Sequence, residues 1–381
     1  MRKGWEYKKL GEVCDITMGQ SPDGNSINEA NGVEFHQGKT CFGERFLGVS
    51  PLYSNAPTKL AEAHSVLLCV RAPVGYPNIT DRKICIGRGL CALYAKQEID
   101  NTFLFYSLLG KQAYFEKNAT GSTFKAISSK TVSNTTLSIP PKSTQLAIVS
   151  ELDKINELIR LKKEQLKDFD NLAQSLFYEM FGDPVENEKG WEVKKIGDLA
   201  LVKTGPFGSM LHKEDYICDG IPLVNPVHMK DFKIVPDLDF TISKEKASEL
   251  ENYLLKSNDV VFARRGDIGR CAIVSEAEQG FICGTGSLFV RFSKEIESIF
   301  IMYIIRCDSF SKHLISKAKG ATMLNINSNT IADLRIPLPP LSLQLLFAQR
   351  IEQIEREKSE VQKSIQDLET LLASRMQYWF E

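Results

Sequence analysis

PPKSTQLAIVSELDKINELIRLKKEQLKDFDNLAQSLFYEMFGDP fills residues 140–184. From 143 to 181 it holds neither glycine nor proline and is rich in helix formers. Its apolar residues fall at Ile148, Leu152, Ile155, Ile159, Leu166, Phe169, Ala173 and Leu176 and end near Met180, with Lys162 as the one interruption. Steps of four and three alternate, which is the a/d seam of a heptad repeat held over four or more heptads. Gly182, Asp183 and Pro184 stop the helix, and Ser143 is its candidate N-cap.

A second stretch, PPLSLQLLFAQRIEQIEREKSEVQKSIQDLETLLASRMQYWF at 339–380, repeats the pattern. Phe347, Ile351, Ile354, Val361, Ile365, Leu368 and Leu372 keep the same phase, Lys358 and Arg375 interrupt it, Trp379 follows, and Ser342 is the candidate N-cap. Each seam covers roughly 33 residues, about 50 Å at about 1.5 Å per residue. A lone helix cannot hide such a stripe. Packing of each helix on its own globular domain is one solution. Because the stripes match in length and phase, the expectation is that the two pair as an antiparallel intramolecular coiled coil. Such a pair places the globular domains at opposite ends.

The rest of the chain is also doubled. KGWEYKKLGE at 3–12 returns as KGWEVKKIGD at 189–198, and VRAPVG at 70–75 as RRGDIG at 264–269. GSTF at 121–124 answers GATM at 320–323, and PPKSTQ at 140–145 answers PPLSLQ at 339–344. Four blocks in one order mean tandem duplication, with insertions in the second copy. The period is too long for a solenoid and fits duplicated domains. The boundaries expected are a first globular domain at 1–140, a helix at 141–182, a second domain at 183–337 and a second helix at 338–381.

The globular segments read as mixed α and β. Short β-branched or aromatic runs predict strands at Ser65–Val70, Ile84–Ile86, Leu90–Tyr94, Asp259–Ala263 and Ser287–Phe292. One helix per copy is expected, near Asn101–Phe115 and Glu297–Ser316. No regular βαβ alternation appears, so the class is α+β rather than a doubly wound parallel sheet.

The chain has 381 residues, 43% hydrophobic and 25% charged, which suits two or three globular domains. No run of 18 apolar residues predicts a membrane span, and the N-terminus lacks an apolar signal core. Nine cysteines include no C-x-x-C pair, and five histidines do not cluster, so no metal or cofactor is expected and the cysteines suit a reducing cytoplasm. Net charge is −1. No global field draws the chain to nucleic acid, so DNA binding would need cations gathered locally.

Catalytic motifs are absent from the sequence. Gly32…Gly38-Lys39-Thr40 resembles a P-loop but has five residues between its glycines instead of four. Asn225-Pro226-Val227-His228 lacks the second proline and the aromatic of an amino-methyltransferase motif and reads as a β-turn. Neither G-x-S-x-G nor H-E-x-x-H occurs. A duplicated chain without a catalytic motif in either copy points to recognition.

Each half opens with Gly-Trp-Glu (4–6, 190–192) and Lys-Lys-Leu/Ile-Gly. Each then carries a strand-Arg-Gly turn (Arg71 to Gly75, Arg265 to Gly269), a glycine loop at Gly121 or Gly320, and Ile-Pro before Pro-Pro-x-x-x-Gln. In this order, twice, each time feeding a heptad helix, the chain resembles the specificity subunit of type I restriction–modification enzymes. The first copy departs in having Ala72-Pro73 where the second has Gly266-Asp267.

The resemblance implies two target recognition domains that each read one half of a bipartite double-stranded DNA sequence. It implies a helical spacer that sets the gap and docks two adenine methyltransferase subunits, with restriction and translocase subunits as further partners. It implies no catalysis by this chain, no cofactor and no membrane. Domains about 50 Å apart would span about one and a half turns of B-DNA.

Base and phosphate readout needs Arg, Lys, Asn, Gln and hydroxyl side chains. The DNA-binding candidates are Arg71, Arg88, Ser122, Thr123, Lys125 and Lys130 in the first domain. In the second they are Arg264, Arg265, Arg270, Lys319, Thr322 and Asn325. Leu161, Phe177, Tyr178 and Phe380, flanking the seam, are the candidate partner-binding positions. The alternative reading is a non-catalytic adaptor whose coiled coil scaffolds two protein-binding domains, which the near-neutral charge would suit. A self-contained enzyme with an unrecognised site is a third reading, opposed by the missing motifs.

Overall fold

The computed structural model describes residues 4–121, 125–318 and 324–380. The chain forms two compact units, one of residues 1–163 with 362–381 and one of residues 164–361. Both long helices contribute to both units.

In the first unit, β1 (Cys14–Met18), β2 (Val66–Cys69), β3 (Pro77–Ile79) and β4 (Leu90–Ala95) form an antiparallel sheet in the order β1-β4-β2-β3. The second unit repeats it with β5 (Ala200–Thr204), β6 (Val260–Ala263), β7 (Cys271–Ile273) and β8 (Ser287–Phe292), in the order β5-β8-β6-β7. The central strands Val66–Cys69 and Val260–Ala263 are apolar and buried at every position because both faces are covered. Val66 and Leu68 point into a core shared with the helix Asn101–Leu109, while Leu67 and Cys69 face a small core under a five-stranded sheet. Val260 and Phe262 divide from Val261 in the same way. The expected strands are present within a residue at each end. The two expected domain helices each break into a pair: Asn101–Leu109 with Gln112–Lys117, and Ser298–Arg306 with Asp308–Lys317.

The long helices run over Lys142–Phe181 and Leu341–Phe380, 40 residues each, or about 60 Å. They begin one residue before the candidate caps Ser143 and Ser342. The carbonyl of Pro141 already accepts the amides of Thr144 and Gln145, and that of Pro340 accepts those of Leu343 and Gln344, so the serines lie inside the first turn. Within each unit the two helices pair in opposite directions. In the first, Glu151 binds Arg375 and Lys163 meets Glu369 at 3.0 Å. In the second, Asp170 takes a bond from Lys358 at 2.8 Å and Phe177 meets Phe347 with ring centroids 5.7 Å apart.

Seam positions Ile148, Leu152, Ile155, Ile159, Phe347, Ile351, Ile354, Val361 and Ile365 are buried, and Leu166, Phe169, Leu368 and Leu372 are partly so. The seam keeps its predicted phase through Ala173, which is buried, and departs after it. Phe177 and Phe181 are buried where Leu176 and Met180 were expected, because this end of the helix packs on Phe300 and Tyr303 of its domain as well as on Phe347. Phe177 and Phe380, expected as partner contacts, are therefore core residues, 0% and 6% exposed. Phe380 packs against Phe103. Leu161 is exposed and Tyr178 half-buried.

The repeated tryptophan fastens each domain's first strand to the helices. Trp5 stacks on Trp379, and the indole N–H of Trp191 donates to the carbonyl of Phe181 at 2.9 Å.

Candidate nucleic-acid interface

In each unit, loops distant in sequence meet at one edge of the four-stranded sheet, through one shared set of backbone hydrogen bonds. Val70 donates to Gly89 and Arg264 to Gly286, both at 2.9 Å. Gly19 donates to Leu90 at 2.9 Å, and Gly205 to Ser287 at 3.0 Å. A side chain at Gly19 or Gly205 would strike the carbonyl of Gly87 or Gly284, so the strands can meet this closely only on glycine.

The glycine-loop segment closes the arrangement. Ala72 donates to Lys125 and Ile127 to Val70, while Gly266 donates to Leu324 and Ile326 to Arg264. Arg71 thus bridges Ala126, and Arg265 bridges Asn325, at corresponding places. The turns themselves differ: Ala72-Pro73 is a cis peptide, and Gly266 has φ +77°.

The structure brings Arg71, Arg88 and Lys125 together in the first unit, all exposed. It brings Arg264, Arg265, Arg270 and Asn325 together in the second. Arg265 is exposed and Arg264 half-buried. Among the described residues, the Nε of Arg264 and the Oδ1 of Asn325 are buried without a hydrogen-bond partner. Arg270 is already engaged, by Asp267 at 2.8 Å and by the carbonyl of Pro226 at 3.2 Å. Lys130 lies apart from the cluster, on the short helix Ser129–Ser133 that packs beside Leu10–Val13. Ser122, Thr123, Lys319 and Thr322 lie outside the described residues, as does Gly320. Gly121 has φ +107°, a conformation that favours glycine.

Sequence reading missed a third contributor. Asn225-Pro226-Val227-His228 is a short turn whose Asn225 side chain accepts the amide of Gly286 at 3.1 Å. Its counterpart Gln37 accepts the amide of Gly89 through its backbone carbonyl, also at 3.1 Å. The signal was present in the glycine pairs Gly87/Gly89 and Gly284/Gly286, which recur in both copies ahead of a strand.

This edge is cationic and rich in polar backbone, and no cluster of potential metal ligands occurs among the described residues. The arrangement suits binding of a polyanion by two similar surfaces.

The type I restriction modification DNA specificity domain matches this chain twice, over residues 2–168 and 188–370. The chain belongs to that family. The MjaIX specificity subunit of Methanocaldococcus jannaschii, a type I restriction enzyme component, is 23% identical over 397 residues, covering 97% of this chain and 91% of the relative. A protein of the same organism named for the MjaX specificity subunit is 38% identical over 176 residues, 45% of this chain and 41% of that relative. A chain from a structure of a type I restriction–modification complex superposes with a TM-score of 0.70 at 19% identity, covering 100% of this chain and 98% of the other. That likeness shows the fold.

Proposed function

We propose that this chain is the DNA-reading, non-catalytic subunit of a type I restriction–modification complex. Each globular domain reads one half of a split target. The paired helices set the gap and dock two adenine methyltransferase subunits, and restriction and translocase subunits join the same assembly. The observation that carries this reading is the repeated loop cluster, with one hydrogen-bond scheme and an exposed arginine at the same place in both copies. Two similar cationic edges on one chain suit two half-sites. Residues Arg71, Arg88, Lys125, Arg264, Arg265 and Asn325 are the first candidates for contact with DNA. Leu161, exposed on the first long helix, and the half-buried Tyr178 remain candidates for the methyltransferase contact. No helix among the described residues is long and apolar enough to cross a membrane, and a complex that acts on DNA belongs in the cytoplasm.

The test is to co-express the chain with its neighbouring methyltransferase subunit and map modified adenines across the host DNA. A split motif with a fixed gap is expected. A complex that forms but leaves no sequence-specific methylation and binds no DNA would favour the adaptor reading.

A further inference from the structure

The two loop clusters share a backbone scheme and differ in what they present. Gly19 and Gly205 make the same bond, so Ser21, two residues on, corresponds to Phe207. Gly89 and Gly286 accept the same bond, so Arg88 corresponds to Thr285. The turn Lys39–Cys41, with the Lys39 ammonium 4.1 Å above the Tyr76 ring, is answered by Pro226–His228, which holds Val227. Lys125 is exposed, whereas its counterpart Leu324 packs against the core.

At two of these places, Ser21 against Phe207 and Lys39 against Val227, the first edge carries a hydrogen-bonding or cationic side chain where the second carries an exposed apolar one; Arg88 against Thr285 is polar in both, and Val70 against Arg264 and Ala126 against Asn325 run the other way. Phe207 and Val227 are 61% and 66% exposed. Each lies two residues from a group bonded to the Gly286–Ser287 turn, Gly205 and Asn225 respectively, so both belong to this loop cluster, and exposed large apolar side chains gathered at one cluster mark an interaction surface. Here Arg264 and Arg265 stand next to them, so the occupant carries negative charge together with an apolar edge. Duplex DNA offers one such edge in its major groove, the C5 methyl of thymine.

We infer that the second domain reads its half-site in part by contact of Phe207 and Val227 with thymine methyl groups, while the first domain relies on hydrogen-bonding side chains at the corresponding places. This deepens the DNA-reading function proposed above and rests on it.

The test uses the complex with the methyltransferase subunit, after methylation mapping has defined the target and a domain swap has assigned its halves. Each thymine of the second domain's half-site is replaced singly by uracil, which removes only the methyl group. At least one replacement weakens binding, by about three- to tenfold for one lost methyl contact. At that position Phe207→Ala or Val227→Ala binds thymine and uracil duplexes alike. The inference is overturned if that half-site contains no thymine, if every uracil duplex binds as tightly as the parent, or if both variants still discriminate. Absence of any split methylation motif would instead remove the functional reading, and this inference with it.

Discussion

The side-chain oxygen of Gln145 accepts the backbone N–H of Asp100 at 2.9 Å, where the first long helix meets the start of the helix Asn101–Leu109. The Gln145 amide donates to the carbonyls of Glu98 at 2.9 Å and Pro140 at 3.0 Å. Gln344 repeats this with the amide of Glu297 and the carbonyl of Pro339. The repeated Pro-Pro-x-x-x-Gln is therefore a joint: proline ends the last strand, and a buried glutamine satisfies the backbone groups that the break leaves open.

Gln145→Leu would strand three backbone groups without their partner, and each unmet group costs about 1–3 kcal/mol. Loss of at least about 3 kcal/mol is expected, and of at least about 2 kcal/mol for Gln344→Leu, which strands two groups. Urea unfolding checks both. Unchanged midpoints would show that water replaces the glutamine and that the joint contributes little.

Glu34 sits in a charged knot with Arg82 and His36. Burial pushes its carboxyl up. The Arg82 guanidinium, bound at 2.6 and 2.7 Å, the Ser50 amide and His36 outweigh that and hold it at about 2. The folded value lies below the ordinary 4.5. The stabilisation is therefore complete above about pH 4.5 and is lost as pH falls toward 2, amounting to about 3 kcal/mol at most. Glu34→Gln should destabilise the protein at pH 7 and flatten this acid limb. An unchanged limb in the variant would move the effect to other carboxylates.

Phe177 touches Phe181, Phe300, Tyr303 and Phe347, with ring centroids 5.2–6.2 Å apart. Phe177→Ala should cost about 3–5 kcal/mol, as large-to-small changes in packed cores do. Leu176→Ala, one residue away and only partly buried, should cost far less. Equal losses in thermal unfolding would restore the unbroken heptad phase.

That comparison also marks where sequence legibility ends. Heptad spacing identified the seam from Ile148 to Ala173 and from Phe347 to Leu372, where the residues that face the partner helix are also the buried ones. Past Ala173 the first helix faces two, its partner and its own domain, and a period derived from one neighbour places the wrong residue inside. Strands such as Val260–Ala263 were legible because both sheet faces are buried and the run is uninterrupted. The edge proposed to read DNA was only half legible. Arg71 and Arg265 could be matched through the duplication. Phe207, Val227 and Asn225 could not, because their place depends on the bonds of Gly205 to Ser287 and of Gly286 to Asn225, which join residues some 60–80 positions apart.

Arg71 and Arg265 give the sharpest test of the two-site reading, because they stand at matching backbone bridges in different units. A bidentate arginine contact to guanine is worth about 1–3 kcal/mol of discrimination. If each arginine reads a base, Arg71→Ala should relax one position in one half-site by roughly tenfold or more and leave the other half unchanged. Arg265→Ala should do the reverse. If either contacts phosphate instead, its loss should weaken binding to all sequences alike and reduce the slope of log affinity against log salt by about one. Binding by the complex to a panel of singly substituted duplexes, at two salt concentrations, separates these outcomes. Site-specific binding untouched by both substitutions would mean that this edge is not the reading surface, whatever the family resemblance of the chain that carries it.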